Sequence, residues 1–424
     1  MNTSDMQHSS PSLVIIGSGC AGVETAFAAR SEGWTGSITL IGNEADLPYH
    51  RPPLSKAFLA ATTTEEALCM RTHATYEKAG ITLMLGKHVT LLDRPLRQVS
   101  LSTGEKLHYD QLVLATGGRP RELRSTSASL EKVRNLHYLR NLEDSKRLRD
   151  ALVPGSNLII VGGGYIGLEV AATAIKAGLN VTVLESAPRV LARVTAPVLS
   201  QFYEEVHRGY GVIIRTNEQI TGFKLNDEEN AIVEVCCADG IHLPADLVVA
   251  GIGLEPHCEI AVNAGLETAD GIVVDGEMRT SDPKIFAAGD CARSFSSLYE
   301  RDVRVESVPN ALEQARKIAA RLNGKTPRSD AAPWFWSDQY DLSLKMVGLS
   351  NGHDRVVLRG SLKEHSFCAF YLLGDRVLAV DTVNRPVEFN LSKQLIIQQT
   401  AVSPDQLADE NIPLKNLLTP AQVL

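Results

Sequence analysis

The sequence predicts an α/β protein in which one β-α-β unit occurs twice and a smaller α+β domain follows. Two stretches carry the repeated unit, "SLVIIGSGCAGVETAFAARSEG" at residues 12–33 and "SNLIIVGGGYIGLEVAATAIKAGLNVTVLES" at residues 156–186. Each has an apolar strand-like run, a glycine loop and an alanine-rich helix in that order. The sequence pattern changes after residue 331. Two strand-like runs lie on either side of Gly374 and Asp375, which predicts a small antiparallel sheet in a third domain.

The order of the elements predicts where the domains begin and end. After the first helix come the strand "SITLIG", a proline-stiffened loop "LPYHRPPLSKAFLA" that leads into a helix, and the strand "QLVLATG". The pattern restarts near residue 121, and "KIFAAGDCA" at residues 284–292 is typical of a late strand of the first domain. We predict a discontinuous first domain at residues 1–120 and 247–330, a second at 121–246 and a third at 331–424.

Composition and charge exclude several classes of protein. A hydrophobic content of 44% and a charged content of 22% are ordinary for a soluble globular chain. The net charge of −8 argues against binding to nucleic acid or to an anionic membrane. The polar start "MNTSDMQHSS" lacks the apolar stretch of a secretion signal, and no stretch is apolar enough to span a bilayer. We therefore expect a cytoplasmic protein.

The seven cysteines predict neither a disulfide framework nor a metal site. Their number is odd, and no two of them have the C-x-x-C or C-x4-C spacing of a zinc site. Cys236 and Cys237 are adjacent in a strand-like run, where neighbouring side chains face opposite sides of a sheet. Buried structural thiols are the ordinary interpretation of such residues.

The two glycine loops predict two dinucleotide sites. Gly17-x-Gly19-x-x-Gly22 and Gly162-x-Gly164-x-x-Gly167 each follow a strand and open a helix. In this fingerprint the first glycine makes a tight turn, the second admits a pyrophosphate, and the third allows the helix to pack on the strand. The helix N-terminus then offers unpaired N–H groups to the phosphates. One such loop is a weak signal, whereas two in full β-α-β context are a strong one.

The residue after the second strand of each unit indicates which dinucleotide is bound. Glu185 follows "NVTVL" directly, and a carboxylate there accepts hydrogen bonds from an adenosine ribose while repelling a 2′-phosphate. The second loop should therefore prefer NAD to NADP. In the first unit Gly42 takes that place, followed by Asn43 and Glu44. A mobile nicotinamide at the second site and a resident flavin at the first would together form a two-part electron carrier.

Long motifs along the whole chain extend this interpretation. They are "PYHRPPLSK", "LVLATGGRP", "HYLRNLED", "IIVGGGYIGLEVAATAIKAG", "LPADLVVAGIG", "TSDPKIFAAGDCA", "RVESVPNALEQARKIAA" and "APWFWSDQYDLSLKMVGLS". With them the chain resembles the FAD-dependent pyridine nucleotide-disulfide oxidoreductase superfamily, and within it the NADH-dependent ferredoxin reductases that serve cytochrome P450 and ring-hydroxylating oxygenases. The resemblance implies a glutathione-reductase-like architecture with FAD and NAD domains and a C-terminal α+β domain.

The resemblance implies a set of FAD-binding residues by motif. They comprise Gly17, Gly19, Ala21, Gly22, Arg51, Lys56, Val89, Thr116, Gly117, Arg140, Asp290 and Val308. Val308 would begin a helix whose N-terminus faces the flavin pyrimidine, where reduced flavin carries negative charge. Members often have an acid after the strand glycine, and here Asn43 stands there. Either Asn43 or neighbouring Glu44 would then contact the ribose.

The resemblance likewise implies NAD-binding residues in the second unit, namely Gly162, Gly164, Tyr165, Ile166, Gly167, Glu185 and Gly253. Tyr165 would lie over the flavin as a gate that nicotinamide displaces; the alternative is an ordinary packed aromatic. Glu169 would help orient the carboxamide, with a plain helix residue as the alternative. Arg189 and Arg193 would either meet phosphate or lie on a solvated face.

The route by which electrons leave predicts the partner. Related disulfide reductases use a cysteine pair beside the flavin, and Cys20 has no second cysteine at the needed spacing. We expect the flavin itself to donate electrons one at a time to a [2Fe-2S] ferredoxin, without an acid–base catalyst. Trp336 would cover the flavin or pack as a core aromatic. Docking of an acidic ferredoxin would use basic side chains, with candidates Arg316, Lys317, Lys345, Lys393 and Lys415.

Three alternatives to a ferredoxin reductase stay open at this point. Two are enzymes, a rubredoxin reductase and a flavin NADH oxidase. The third is an NADH-sensing flavoprotein resembling apoptosis-inducing factor, which the short C-terminal domain without long basic runs disfavours. The oligomeric state is open, and the resemblance favours a monomer.

Overall fold

A computed structural model describes residues 10–124, 129–327 and 331–418. Apart from residue 10, the polar start of the chain lies outside these residues. The strands of the first half are β1 Ser12–Ile16, β2 Ser37–Ile41, β3 Ile81–Met84, β4 Val89–Asp93, β5 Gln98–Leu101, β6 Lys106–His108, β7 Gln111–Leu114, β8 Gly118–Pro120, β9 Leu136–Tyr138, β10 Asn157–Val161, β11 Asn180–Leu184 and β12 Ile213–Arg215.

The remaining strands are β13 Ile220–Leu225, β14 Ile232–Cys237, β15 His242–Pro244, β16 Leu247–Ala250, β17 Leu254–Pro256, β18 Ile272–Val274, β19 Ile285–Ala287, β20 Ala292–Ser296, β21 Arg301–Val303, β22 Trp334–Gln339, β23 Leu342–Gly348, β24 Arg355–Ser361, β25 Ser366–Leu373 and β26 Arg376–Val383. The helices are α1 Cys20–Glu32, α2 Glu65–Leu68, α3 His73–Lys78, α4 Leu142–Ala151, α5 Tyr165–Lys176, α6 Pro197–Gly209, α7 Glu259–Asn263, α8 Val308–Leu322, α9 Pro386–Gln398 and α10 Pro404–Ala408.

The chain divides into two compact units, and the first contains the first glycine loop. It is built from the described parts of residues 1–50, 68–119 and 256–331. Its parallel sheet has the strand order β19-β7-β1-β2-β3. β1 pairs with β2 and β7 in the core, and β19 pairs with β7, so the predicted late strand is confirmed. Two three-stranded sheets, β4-β5-β6 and β18-β20-β21, complete the unit.

The second unit contains the second glycine loop and the C-terminal residues. It is built from residues 51–67 and the described parts of 120–255 and 332–424. Its parallel sheet has the order β12-β11-β10-β16-β9, and a five-stranded antiparallel sheet has the order β22-β23-β26-β25-β24. The antiparallel sheet contains the predicted hairpin, β25 paired with β26 across Gly374. β13, β14 and β15 form a further small sheet.

The predicted fold class is confirmed, while three local details differ from expectation. Residues 51–67, predicted for the first domain, belong to the second unit. Residues 247–250 lie in the second parallel sheet, because β16 pairs with β10, and the unit ends at Glu255 rather than before residue 247. The proline segment forms a 3-10 turn at Pro52–Ser55 instead of leading directly into an α-helix. Pro52 and Pro53 occupy the first two positions of this turn, where a missing N–H group costs no intrahelical bond. The division into three domains stays a prediction.

Among the residues that the structure describes, no helix is long and apolar enough to cross a membrane.

A buried histidine links α6 to the C-terminal sheet within the second unit. His207 is fully buried, and its ring nitrogens contact the Gln339 side-chain oxygen at 2.8 Å and the Tyr340 hydroxyl at 2.9 Å. Burial lowers the pKa of His207 from 6.5 to about 4. The ring is therefore neutral in the folded protein at neutral pH.

This histidine should make stability fall in acid. Its folded pKa lies below its unfolded value, so its contribution is present above pH 6.5 and is lost as the pH falls towards 4, by roughly 3 kcal/mol at most. In His207→Gln the lost packing lowers the free energy of unfolding at pH 7.5, and the difference from the parent should narrow steadily towards pH 4.5. Urea unfolding of both proteins at several pH values measures this difference in free energy. A difference that does not change with pH would contradict the assignment.

Candidate dinucleotide-binding sites

The first and third glycines of each loop are required by the chain itself. Gly17 has a φ of 114°, and a Cβ atom there would lie 2.0 Å from the carbonyl oxygen of Ala115. A Cβ atom on Gly22 would lie 1.9 Å from the Gly17 carbonyl oxygen, and one on Gly167 would lie 2.2 Å from the Gly162 carbonyl oxygen. Larger residues at these positions would separate each helix from its strand.

The middle glycines are different, because none of the described residues requires a glycine there. Gly19 has an ordinary φ of −77°, and a Cβ atom on it would meet no atom of the described residues within 4 Å. Gly164 has a φ of −81°, and its nearest neighbour would be the Gly251 carbonyl oxygen at 4.0 Å. The open space above both residues is what close approach of a pyrophosphate needs.

The helices after the loops begin without side-chain caps. α1 and α5 each have glycine at the N-cap, so no N-cap side chain caps either helix. The N–H groups of a first helical turn and the positive end of the helix dipole favour an anion at such a terminus. Together with the open middle glycines, both loops fit the phosphates of a bound dinucleotide.

Glu185 lies beside the second loop, at the end of β11. One carboxylate oxygen accepts a hydrogen bond from the Gly163 N–H at 2.7 Å, and the other accepts one from the Ala187 N–H at 2.8 Å. These bonds fix the carboxylate next to the loop while leaving further acceptor positions on both oxygens. This is the geometry expected of a group that accepts hydrogen bonds from a ribose.

The corresponding position of the first unit has no such arrangement. A Cβ atom on Gly42 would lie 2.3 Å from the Ser18 hydroxyl oxygen, which explains the glycine there. Asn43 is exposed, and one carboxylate oxygen of Glu44 accepts a hydrogen bond from the Tyr49 hydroxyl. Asn43 is therefore the more accessible of the two predicted ribose contacts.

The carboxyl ends of neighbouring strands bring other predicted residues of the first unit together. β19, β7 and β1 are adjacent and parallel. Thr116 and Gly117 follow β7 and Asp290 follows β19, so all three lie near the carboxyl end of β1, where the first glycine loop begins. The Thr116 hydroxyl donates to the His257 carbonyl at 2.7 Å, and Gly117 accepts a hydrogen bond from the His257 N–H.

Two predicted residues of this unit lie on other elements. Val308 is the first residue of α8, whose N-cap Ser307 accepts a hydrogen bond from the Asn310 N–H at 3.3 Å. Val89 begins β4 in the small antiparallel sheet, is buried, and pairs with Leu101.

The second unit holds the remaining residues predicted to contact FAD. Arg51 donates to the Arg140 carbonyl at 2.7 Å, which joins the proline segment to the end of β9. Lys56 forms an ion pair with Glu169 of α5, with 2.9 Å between the ammonium nitrogen and a carboxylate oxygen. The proline segment is thereby attached to the helix of the second glycine loop.

Glu169 is a buried carboxylate with three partners. Its side chain is 1% exposed, and beside Lys56 it accepts hydrogen bonds from the Ser55 hydroxyl at 2.5 Å and the Ser337 hydroxyl at 2.6 Å. A buried charge persists only when it is paired and hydrogen-bonded in this way. Glu169 therefore joins the proline segment, α5 and β22 in one polar cluster.

Two family models match most of this chain. A family model described as pyridine nucleotide-disulphide oxidoreductase matches residues 11–315, and one described as reductase C-terminal matches residues 334–418. The chain belongs to the pyridine nucleotide-disulphide oxidoreductase family. The predicted family and the predicted oxidoreductase class are thereby confirmed.

Several known proteins are similar along almost the whole chain. Putidaredoxin reductase CamA of Pseudomonas putida is 57% identical over 97% of this chain and 97% of its own. The crystal structure of a covalent putidaredoxin reductase-putidaredoxin complex matches with a TM-score of 0.94 at 56% identity, covering 97% of this chain and 98% of that one. A ferredoxin reductase for the CYP199A2 system of Rhodopseudomonas palustris matches with a TM-score of 0.92 at 41% identity, covering 96% and 100%.

Tyr165, the predicted gate of this oxidoreductase, stands at the start of α5. Its ring lies 5.1 Å from the Phe335 ring between centroids, and its hydroxyl donates to the Met346 sulfur at 2.6 Å. Burial raises the pKa of Tyr165 well above 10, so the phenol is neutral. Trp336 is partly buried, lies 5.7 Å from the Trp334 ring and pairs with Lys345 across the strands.

The other predicted NAD contacts surround the second loop. Ile166 is 43% exposed on the first turn of α5, and Gly253 has a φ of 115°. The side chains of Arg121 and Arg193 both come within 3.7 Å of the position that a Cβ atom on Gly253 would occupy. Arg189 instead donates to the Ser200 hydroxyl at 2.6 Å. Arg193 is therefore placed better for a phosphate than Arg189.

The predicted docking residues differ in exposure. Arg316 is exposed and pairs with Glu24 at 2.7 Å, whereas Lys317 is only 7% exposed and offers a partner little surface. Lys415 is exposed in a 3-10 turn. Lys345 and Lys393 lie on the C-terminal sheet and α9.

Sequence reasoning missed the groups that hold the predicted site residues. Ser55 and Ser337 are far apart in sequence, yet both donate to Glu169. Gln314 and Arg304 contact the turn that contains Asp290. Serine and glutamine carry no motif signal by themselves, so only the packing reveals these roles.

Glu185 should set the preference for NADH over NADPH. Glu185→Gln retains an acceptor for the Gly163 N–H but removes the charge that repels a 2′-phosphate, so the ratio of the two kcat/KM values should fall roughly ten-fold. Steady-state kinetics with both nucleotides measure the ratio. Glu205→Gln, at an exposed position of α6, serves as the control. An unchanged ratio in Glu185→Gln would remove Glu185 from this role.

Proposed function

We propose that the protein is an NADH-dependent, FAD-containing reductase of a [2Fe-2S] ferredoxin, which in turn supplies a cytochrome P450 or a related oxygenase. The observation that carries the proposal is the presence, in one chain, of two glycine loops whose middle glycine is left open to a ligand. The names of similar reductases support ferredoxin as the acceptor. The protein is a flavoprotein oxidoreductase in this proposal, with FAD resident and NADH as co-substrate.

In this proposal the residues of the chain bind and orient FAD and NADH. FAD, when bound, accepts hydride from a nicotinamide and releases electrons singly. The first loop, Asp290 and the start of α8 would hold FAD, and Arg51, Lys56 and Arg140 stay predicted FAD contacts. The second loop and Glu185 would hold NADH. Hydride transfer requires positioning and no proton abstraction, so no side chain is assigned as an acid or base.

The cysteines support direct transfer without a thiol relay. All seven carry free thiols. Burial raises the pKa of Cys237 and of Cys258 to about 11 and that of Cys368 to about 12. These thiols are held protonated at neutral pH and are poor nucleophiles. Free thiols are also typical of a reducing compartment, which supports the proposed cytoplasmic location.

A pair of lysines on the second unit supports an acidic partner. The Lys393 ammonium lies 4.3 Å from the Phe389 ring and 4.5 Å from the Trp334 ring, and the Lys345 ammonium lies 5.6 Å from Phe389. Burial, followed by the charge of Lys345, lowers the pKa of Lys393. Neither lysine forms an ion pair with a residue that the structure describes. An acidic protein docking there would relieve their mutual repulsion.

Ferredoxin dependence tests the proposed function. The purified protein should carry flavin absorption bands, and NADH-driven reduction of cytochrome c should rise several-fold when a [2Fe-2S] ferredoxin is added. Rubredoxin in place of ferredoxin is the control for the acceptor, and thiol alkylation should leave turnover intact. Rapid oxygen consumption without ferredoxin would indicate an oxidase instead. Slow turnover with every acceptor would indicate a sensor.

Charge reversal of the lysine pair tests the docking surface. Lys345→Glu combined with Lys393→Glu should raise the KM for ferredoxin roughly ten-fold at low ionic strength, with little change in kcat at saturating ferredoxin. The difference should shrink as salt is added, because salt screens the attraction between the two protein surfaces. Lys363→Glu, at an exposed turn between β24 and β25, is the matched control. Equal KM values in all three proteins would place docking elsewhere.

A further inference from the structure

The turn after β19, which contains Asp290, is held from one side by a buried glutamine. The side-chain oxygen of Gln314 on α8 accepts a hydrogen bond from the Gly289 N–H at 2.8 Å. Gln314 is 6% exposed, so this bond is shielded from water. A buried N–H group without its acceptor costs about 1–3 kcal/mol, so the bond ties the turn firmly to α8.

The same turn fits closely between the two helices that would face the cofactor. Gly289 has a φ of 83°, and a Cβ atom on it would lie 3.1 Å from the Ala21 methyl group and 3.8 Å from the Ala311 methyl group. Ala21 is in the first turn of α1, directly after the glycine loop, and Ala311 is in the first turn of α8. Three segments predicted to bind FAD therefore meet at Gly289.

An arginine holds the turn from the other side. The guanidinium of Arg304 donates to the Asp290 carbonyl at 3.1 Å and to Glu306 at 2.6 Å, and its side chain is 10% exposed. Asp270 lies 3.4 Å from the same guanidinium. Both the Gly289 N–H group and the Asp290 carbonyl are thus fixed by hydrogen bonds.

We propose that Gln314 is a positioning residue that sets the distance between the Asp290 turn and the N-terminus of α8. This inference rests on the proposed function, since it requires FAD to bind at that turn. The positive end of α8 stabilises negative charge on the reduced flavin only if the helix start is held at the correct place. Gln314 fixes that place with a neutral acceptor, which adds no negative charge beside the cofactor.

Three substitutions at Gln314 test the assignment. Gln314→Met has similar size but no acceptor for the Gly289 N–H, and Gln314→Asn keeps an amide that is one methylene too short. Both should bind FAD about ten-fold more weakly, a loss of about 1.4 kcal/mol, and should shift the flavin midpoint potential to more negative values. Gln314→Glu retains an acceptor of the same reach but adds negative charge, so its FAD affinity should lie closer to the parent's than that of Gln314→Met, while its midpoint potential should still fall.

Apoprotein prepared from each variant is titrated with FAD and followed by flavin fluorescence, and the potential is measured by dye-coupled reduction. Gln201→Met, at an exposed position of α6, controls for the substitution itself. If Gln314→Met lacks the circular dichroism of the folded parent, Gln314→Asn decides the result. FAD affinity and potential equal to the parent's in the folded variants would overturn the role of Gln314 alone. A parent that binds no FAD would overturn the proposed function as well.

Discussion

The close backbone contacts at the two glycine loops are the constraint on which the rest of the structure depends. The Cβ position of Gly17 is 2.0 Å from a carbonyl oxygen of the neighbouring strand connection, and that of Gly22 is 1.9 Å from Gly17 itself. Each helix can pack this closely on its strand only because both residues lack a side chain. That packing aims the uncapped helix N-terminus at the open space above the middle glycine, so the binding site follows directly from the fold.

Burial of one carboxylate organises the second unit around its loop. Glu169 stands on α5, one turn beyond Tyr165, and binds Lys56, Ser55 and Ser337. The cost of removing this charge from water is offset only while all three partners stay in place. A shift of the proline segment or of β22 would leave the carboxylate unpaired, so the cluster keeps the residues predicted for FAD and for NADH in a fixed relation within this unit.

Charge is distributed unevenly, and this matters more than the total of −8. Lys345 and Lys393 share one aromatic neighbour, Phe389, and repel each other without a described acidic partner. The side chains of Arg121 and Arg193 both come close to the position of a Cβ atom on Gly253, beside the second loop. Local groups of like charge cost stability unless something outside the chain compensates them. In the proposed function both pairs would meet an anion, a nucleotide phosphate at the arginines and an acidic protein at the lysines.

The sequence by itself determined the α/β class, the two glycine loops, the position of Glu185 at a strand end and the late strand β19 of the first domain. These features depend on local rules, such as glycine spacing, strand periodicity and the residue after a strand. The membership of β16 in the second sheet, the partners of Glu169, the burial of Lys317 and the contact between Gln314 and Gly289 were decided only by the tertiary structure. Each of these depends on segments distant in sequence, whose approach is set by packing and by the need to pair every buried polar group. A serine or glutamine takes up such a hydrogen-bonding role because of its neighbours in space, and the residues beside it in the sequence do not predict that role.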